Sequence, residues 1–141
     1  MAVEVTEITH RVNYSETDQM GVVYHARYLV WLDVARCEHM RSAGLSYREL
    51  EELGFRLAVS EATLRYRQPA RYDDEVRVRC WVREAVVRRV TFGYAVEHAV
   101  AGRLLATARV SLLCLDAEFR LSRLPDAALS LLAPISDPIR F

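Results

Sequence analysis

The sequence contains no lysine, since all nineteen of its basic residues are arginine. A Schiff base on lysine is therefore excluded, and so is the lysine of a phosphate-binding P-loop. The sequence also lacks G-x-S-x-G, G-x-G-x-x-G and G-x-x-x-x-G-K stretches, and its four histidines do not have the spacing of a zinc site. We therefore expect chemistry that uses no metal and no other cofactor.

Cysteine is sparse and the apolar runs are short. Cys37, Cys80 and Cys114 are an odd number at wide spacings, which predicts neither a disulfide framework nor a zinc site. Cys80 and Cys114 fall in strand-like runs, where we expect them to be buried. No apolar stretch reaches the ~20 residues of a membrane span. Residues 1–13 have no apolar run of the kind found in signal peptides, so we expect a cytoplasmic protein.

Neither sign of charge is in excess, because nineteen acidic residues balance the arginines. This balance argues against nucleic acid as the main partner. Residues 65–89, however, hold eight arginines against four acidic residues, a local net charge of +4. Arginine binds phosphate in a bidentate manner, so this segment suits a phosphorylated ligand. For most of these arginines, including Arg77, Arg79 and Arg83, the simpler interpretation is a solvated strand face.

The hydrophobic content of 52% and the length of 141 residues predict one packed domain, residues 1–141. Alternation predicts a strand over 5–15 and four later strands. Residues 26–42 predict a helix that ends before Gly44 and is buried, because apolar residues cover most of its circumference. Two short helices are expected, one after a capping box at Ser46 and one over 125–132. The order indicates an α+β fold in which an antiparallel sheet of five strands packs on a long central helix.

The stretch 14–36 carries the strongest chemical signal. Two acids, Glu16 and Asp18, lie in a polar loop that turns at Gly21 and leads into the long helix. His25 follows Asp18 by seven residues and stands near the predicted helix start, whose free N–H groups attract negative charge. A carboxylate beside such donors can attack a carbonyl and stabilise the resulting oxyanion. The alternative is an Asp18 that only forms a turn or caps the helix, and Glu16 is interpreted as a solvated neighbour.

This stretch resembles the signature of the 4-hydroxybenzoyl-CoA thioesterase-like branch (Tol–Pal-associated type) of hotdog-fold acyl-CoA thioesterases. Residues 67–76 and 104–116 also resemble that family, so the likeness covers most of the chain. Arg27 stands where the family usually has Asn, and Met20 where a small residue is common. The residues that carry the signature are Tyr14, Glu16, Thr17, Asp18, Gly21, Val22, Val23, Tyr24, His25, Ala26 and Tyr28.

The resemblance implies a hotdog fold, a homodimer or homotetramer, and hydrolysis of an acyl-CoA to a free acid and CoA. It implies that Asp18 is a nucleophile or a general base, and that a backbone N–H near His25 is the oxyanion donor. The His25 imidazole and Tyr14 are further catalytic candidates, although core packing is an equal alternative for Tyr14 and Tyr24. The candidate substrate-binding residues are Gly21, Val22, Val23, Tyr24, Arg88, Arg89, Arg120 and Arg123.

Two other functions remain open at this point. A hotdog dehydratase would keep the fold and change the reaction, although such enzymes are expected to space their His and acid differently. A non-catalytic acyl-CoA binding or adaptor protein would have the cleft without turnover. The acyl group, whether short, long or aromatic, cannot be read from the residues.

Overall fold

The computed structural model describes residues 3–141, which form five β-strands, three α-helices and one 3-10 turn. Within these residues no helix combines the length and the apolar character that crossing a bilayer requires. The elements, in chain order, are β1 (Thr6–Arg11), the 3-10 turn (Tyr14–Glu16), α1 (Arg27–Ala43), α2 (Tyr47–Glu52), β2 (Arg56–Tyr66), β3 (Glu75–Val86), β4 (Arg89–His98), β5 (Leu104–Leu115) and α3 (Asp126–Leu131).

The strands form one antiparallel sheet in the order β1-β3-β4-β5-β2. The predicted α+β class and the five strands are therefore confirmed. The first strand is shorter than the predicted 5–15, because the chain leaves the sheet after Arg11 and enters the 3-10 turn. Strands β1 and β2 are the two edges. The last residue of β2, Tyr66, lies opposite Ala106 of β5.

Helix α1 packs across one face of the sheet and builds the core with it. Its residues Trp31, Leu32 and Ala35 are buried against apolar side chains such as Phe92 of β4. The helix ends as predicted, since Gly44 adopts φ +110° and donates its N–H to the carbonyls of Met40 and Arg41 at 3.2 and 3.1 Å. A left-handed residue is favourable only for glycine at such a cap.

The prediction that α1 is buried nearly all round is wrong for the single chain. Leu29, Val30 and Val34 are exposed large apolar residues on the same helix. The reason is geometric, because one five-stranded sheet covers one side of a helix and leaves the opposite side open. An apolar stripe on the open side is the usual mark of a surface that another molecule covers.

The opposite face of the sheet is partly covered by the C-terminal segment, residues 134–141. The Ile135 N–H donates to the Val82 carbonyl at 2.9 Å. The Asp137 carboxylate accepts from Trp81 Nε1 and from two nitrogens of Arg83, each at 2.9 Å. The interpretation of Arg83 as merely solvated is therefore wrong, and Trp81 is fully buried on the face predicted to be open. The predicted burial of Cys80 and Cys114 is confirmed.

Candidate active site

A pocket of about 290 Å³ opens where the loop after β1 meets the start of α1 and the end of β2. Its walls are largely apolar, with one carboxylate and one guanidinium among them. The lining residues are Asp18, Met20, Val22, Val23, His25, Tyr28, Tyr66, Arg67, Gln68 and Pro69. Three separate chain segments thus meet here, and two of the predicted catalytic residues, Asp18 and His25, line the same pocket.

The loop that carries Asp18 is held in a tight turn. The Asp18 N–H donates to the Val22 carbonyl, and the Gly21 N–H donates to the Asp18 carbonyl, both at 2.9 Å. Gly21 has φ +77°, which confirms its predicted role in the turn, because a side chain there would be strained. The same turn presents Val22, which is half-buried, and Val23, which is buried, to the pocket.

The Asp18 carboxylate is half-buried and forms only one hydrogen bond within the described residues. Its Oδ1 accepts the Met20 N–H at 2.9 Å, so the predicted turn-forming role is present. Its Oδ2 has no hydrogen-bond partner among residues 3–141. One oxygen therefore anchors the side chain while the other remains accessible on the pocket wall. The two interpretations of Asp18, turn former and reactive carboxylate, are compatible.

His25 lies two residues before the first residue of α1, near the helix start as predicted. Its side chain is exposed, with the imidazole ring 4.4 Å from the ring of Tyr24. The Arg27 N–H donates to the Tyr24 carbonyl at 2.9 Å, which orients the peptide between Tyr24 and His25 as in the first turn of a helix. The N–H of His25 then points out of the helix start, and no acceptor for it occurs within residues 3–141.

Glu16 is a buried residue, which overturns its interpretation as a solvated neighbour. Only 8% of it is exposed. Its Oε2 accepts the Trp31 Nε1–H at 2.7 Å, and its Oε1 accepts the Asn13 N–H at 2.8 Å and lies 2.7 Å from His10 Nε2. Burial alone would raise the pKa of Glu16, but the hydrogen bonds from Asn13, His10 and Trp31 outweigh it and hold the pKa below its usual value.

The predicted aromatic candidates Tyr14 and Tyr24 lie outside the pocket lining. Tyr14 is 77% exposed and packs edge-on against Tyr72, with ring centroids 5.5 Å apart. Tyr24 is 46% exposed and contacts His25. The alternative of core packing is therefore wrong for both residues, because each side chain lies at the surface.

The four predicted phosphate-binding arginines also lie away from the pocket lining. Arg88 and Arg89 stand at the turn from β3 to β4, where Arg89 pairs with Glu84 at 2.6 Å. Arg120 and Arg123 follow β5 and are exposed, and Arg120 pairs with Asp116 and Glu118, each at 3.5 Å. The cation that does line the pocket is Arg67, which forms no ion pair within residues 3–141.

Sequence reasoning missed Tyr28, Tyr66 and Arg67 as pocket residues. Tyr28 belongs to the helix and is buried, with its hydroxyl accepting the Ala70 N–H at 3.4 Å. Tyr66 and Arg67 come from the end of β2, some forty positions further along the chain. The available signals were the two family-like stretches, since Tyr28 belongs to the first and Arg67 begins the second.

Within residues 3–141, no three side chains among His, Cys, Asp and Glu lie close enough together to bind a metal ion. The pocket itself contains two side chains of that kind, Asp18 and His25. The expectation that no cofactor is needed stays a prediction.

A family model described as the thioesterase-like superfamily matches residues 12–135 of the chain. This range contains the Asp18 loop, α1 and the end of β2, so the match includes all three segments of the pocket. It covers well over half of the chain.

Named relatives and a solved structure agree with this match. A Bacillus subtilis protein, whose name gives acyl-CoA thioesterase as a provisional activity, is 36% identical over 76% of this chain and 77% of its own length. The acyl-CoA thioester hydrolase YbgC of Escherichia coli is 32% identical over 75% of this chain and 78% of its own length. The crystal structure of DHNA-CoA thioesterase from Staphylococcus aureus superposes with a TM-score of 0.84 at 30% identity, covering 89% of each chain. The predicted hotdog fold is confirmed.

Proposed function

The chain belongs to the thioesterase-like superfamily, and from this premise we propose that it is an acyl-CoA thioester hydrolase. The reaction adds water to the thioester carbonyl, breaks the carbon–sulfur bond and releases a free acid and the thiol of CoA. The observation that carries the proposal is the shared pocket, in which Asp18 and His25 line the wall at the start of α1.

Asp18 acts either as a base or as a nucleophile. As a base, its free Oδ2 takes a proton from a water that attacks the carbonyl carbon. As a nucleophile, the same oxygen forms a mixed anhydride, which water then hydrolyses to regenerate the carboxylate. In both routes the sulfur leaves with the bonding electron pair and acquires a proton. The single anchoring hydrogen bond to Met20 supports both, because it fixes the carboxylate without occupying Oδ2.

The oxyanion forms beside the start of α1. The unpaired N–H of His25 supports this role, because a fixed donor beside a helix N-terminus stabilises negative charge as it develops on the carbonyl oxygen. The imidazole of His25 is exposed at the same place and is a second group able to contact the substrate. The apolar side chains of Val22, Val23 and Tyr28 then face the acyl group.

The phosphates of CoA bind to arginine side chains. Arg67 is the guanidinium on the pocket wall and has no acidic partner within residues 3–141, so its charge is available. Arg88, Arg89, Arg120 and Arg123 lie outside that wall, and contact with CoA from these positions requires a substrate that extends along the surface or a neighbouring subunit.

The enzyme assembles as a homodimer or homotetramer in the cytoplasm. Two features support assembly: the open apolar stripe of α1 with Leu29, Val30 and Val34, and the outer edge of β2, which pairs with no further strand within residues 3–141 and where Val59 is exposed. Sedimentation velocity tests the assembly, and a stable monomer at micromolar concentration contradicts it.

A thiol-release assay across a panel of CoA esters tests the function. The panel contains short aliphatic, long aliphatic and aromatic acyl groups, and free CoA is detected with a thiol-reactive dye. We expect turnover of at least one ester class. If the protein binds acyl-CoA but releases thiol from no member of the panel, it is a non-catalytic binder. If it removes water from a 3-hydroxyacyl ester, or adds water to an enoyl ester, without releasing thiol, it is a dehydratase. Either result overturns the proposal.

A further inference from the structure

The start of α1 is a short turn, residues 24–27, whose peptide groups are held partly by the helix and partly by other parts of the fold. The Tyr24 N–H donates to the Glu16 carbonyl at 2.8 Å, and the Arg27 N–H donates to the Tyr24 carbonyl at 2.9 Å. The third contact comes from the sheet, because the Tyr66 hydroxyl donates to the His25 carbonyl at 2.8 Å. Within residues 3–141 the N–H groups of His25 and Ala26 have no acceptor.

The two free N–H groups take their directions from these contacts. A trans peptide unit is planar, with its C=O and N–H pointing in opposite directions. The bond from Arg27 to the Tyr24 carbonyl therefore directs the His25 N–H away from the helix. The bond from Tyr66 to the His25 carbonyl directs the Ala26 N–H away from the Tyr66 hydroxyl. Each free N–H thus takes its direction from the group that holds the carbonyl of its own peptide.

Within the described residues, no N–H group of α1 donates to the His25 carbonyl. The Leu29 N–H, which could reach the His25 carbonyl in a regular helix, donates instead to the Ala26 carbonyl at 3.2 Å. The described residues provide the His25 carbonyl with one hydrogen-bond donor, the Tyr66 hydroxyl. Burial raises the pKa of Tyr66, so the hydroxyl keeps the proton that it donates.

The Tyr66 ring is itself well fixed. It stands at the end of β2, paired opposite Ala106 of β5. It packs edge-on against the rings of Tyr28 and His25, with centroid distances of 5.2 and 6.5 Å. The end of β2 thus carries a hydroxyl to the one peptide group of the turn that the helix leaves unheld.

We propose that Tyr66 is a positioning residue for thioester hydrolysis, whose hydroxyl holds the His25 carbonyl and thereby aims the Ala26 N–H, beside the His25 N–H, at the developing oxyanion. The inference rests on the proposed function. Donors fixed in advance stabilise a transition state because they do not reorganise during the reaction. Without the hydroxyl, the peptide between His25 and Ala26 gains freedom to rotate, and the Ala26 N–H loses its alignment.

The test compares Tyr66→Phe with Tyr47→Phe. Both substitutions remove one hydroxyl and keep the ring. Tyr47 is the matched control, because its hydroxyl also bonds backbone, accepting the Leu57 N–H of β2 at 3.2 Å, but it lies outside the pocket lining. The readouts are kcat and KM for the best CoA ester of the panel, together with the melting temperature of each full-length variant.

We expect kcat to fall about tenfold in Tyr66→Phe while KM stays within about twofold, since the hydroxyl acts on the transition state and the ring still forms the pocket wall. Tyr47→Phe should keep the wild-type kcat even if its melting temperature drops. Equal kcat in the two variants, or a rise in KM alone, overturns the positioning role while leaving the proposed function intact. A wild-type protein that releases no thiol from any ester overturns the proposed function, and the inference with it.

Discussion

Glu16 and Asp18 lie two residues apart on one loop, and both carry a carboxylate. The Glu16 carboxylate lies in a buried region, whereas the Asp18 carboxylate lies on the wall of an open pocket. Glu16 accepts hydrogen bonds from the backbone of Asn13 and from Trp31 of α1, and it contacts His10 of β1. Asp18 accepts one bond, from the Met20 N–H, and keeps its other oxygen accessible. The Glu16 carboxylate joins three parts of the fold. The Asp18 carboxylate is held by one hydrogen bond, and its other oxygen has no partner within residues 3–141.

This difference shows how one loop can be anchored to the fold and still present an accessible carboxylate. The Glu16 cluster anchors the loop to both β1 and α1, and the Glu16 carbonyl also accepts the Tyr24 N–H. The Asp18 carboxylate can then stay on an ordered loop while it keeps few hydrogen-bond partners of its own. A carboxylate with every lone pair occupied by donors is a poor base and a poor nucleophile, because those donors stabilise its charge.

The largest effect should follow from Asp18→Asn. We expect kcat to fall by about 100-fold or more, because the amide can neither accept the proton of water nor attack the carbonyl. The melting temperature should stay close to that of the wild type, since Asn retains an oxygen for the Met20 N–H. Thiol release and thermal unfolding measure the two quantities. Near-normal turnover in this variant would remove Asp18 from the mechanism.

Glu16→Gln should mainly lower stability, in contrast to the loss of turnover expected for Asp18→Asn. The substitution places an amide among donors that require a charged acceptor, and we expect a loss of about 2 kcal/mol in the free energy of unfolding. Asp18→Asn is the matched control, because it makes the same chemical change two residues away on an open site. Urea unfolding compares the two variants. If both lose the same stability, the Glu16 cluster does not anchor the loop.

The stability difference between wild type and Glu16→Gln should depend on pH. The pKa of Glu16 is lowered in the folded state, so its contribution is complete above the unfolded value of about 4.3 and is lost as the pH falls through the folded value. We therefore expect the difference to shrink as the pH falls below about 4.3. A difference that grows on acidification would contradict the lowered pKa.

The smallest effect should come from arginines remote from both carboxylates. Replacing Arg88 and Arg89 with Gln should raise KM about fivefold for CoA esters and leave KM for short pantetheine esters unchanged, because only the former carry the nucleotide phosphates. Arg67→Gln, on the pocket wall, is the comparison variant. Equal effects on KM for both ester types would show that Arg88 and Arg89 do not bind the phosphates of CoA.

Local patterns were sufficient for the elements of the fold. The helix end at Gly44, the capping box at Ser46, the turn at Gly21 and the five strands follow from residues close together in the chain, and the structure agrees with them. Errors occurred where a local pattern was taken as a statement about burial. Trp81 and Arg83 share a strand face predicted to be open, yet residues 134–141 cover it.

The fold class, the family and the loop that carries the candidate carboxylate could be predicted from the residues, because periodicity, turn residues and a compact motif all act over short stretches of chain. Which of two neighbouring acids is buried and which is accessible depends on the folded chain, since the partners of Glu16 come from β1 and α1. Tertiary folding also brings Tyr66 and Arg67 to the start of α1. The energy of a hydrogen bond or a buried charge depends on distance in space, and only folding sets that distance between residues far apart in the chain.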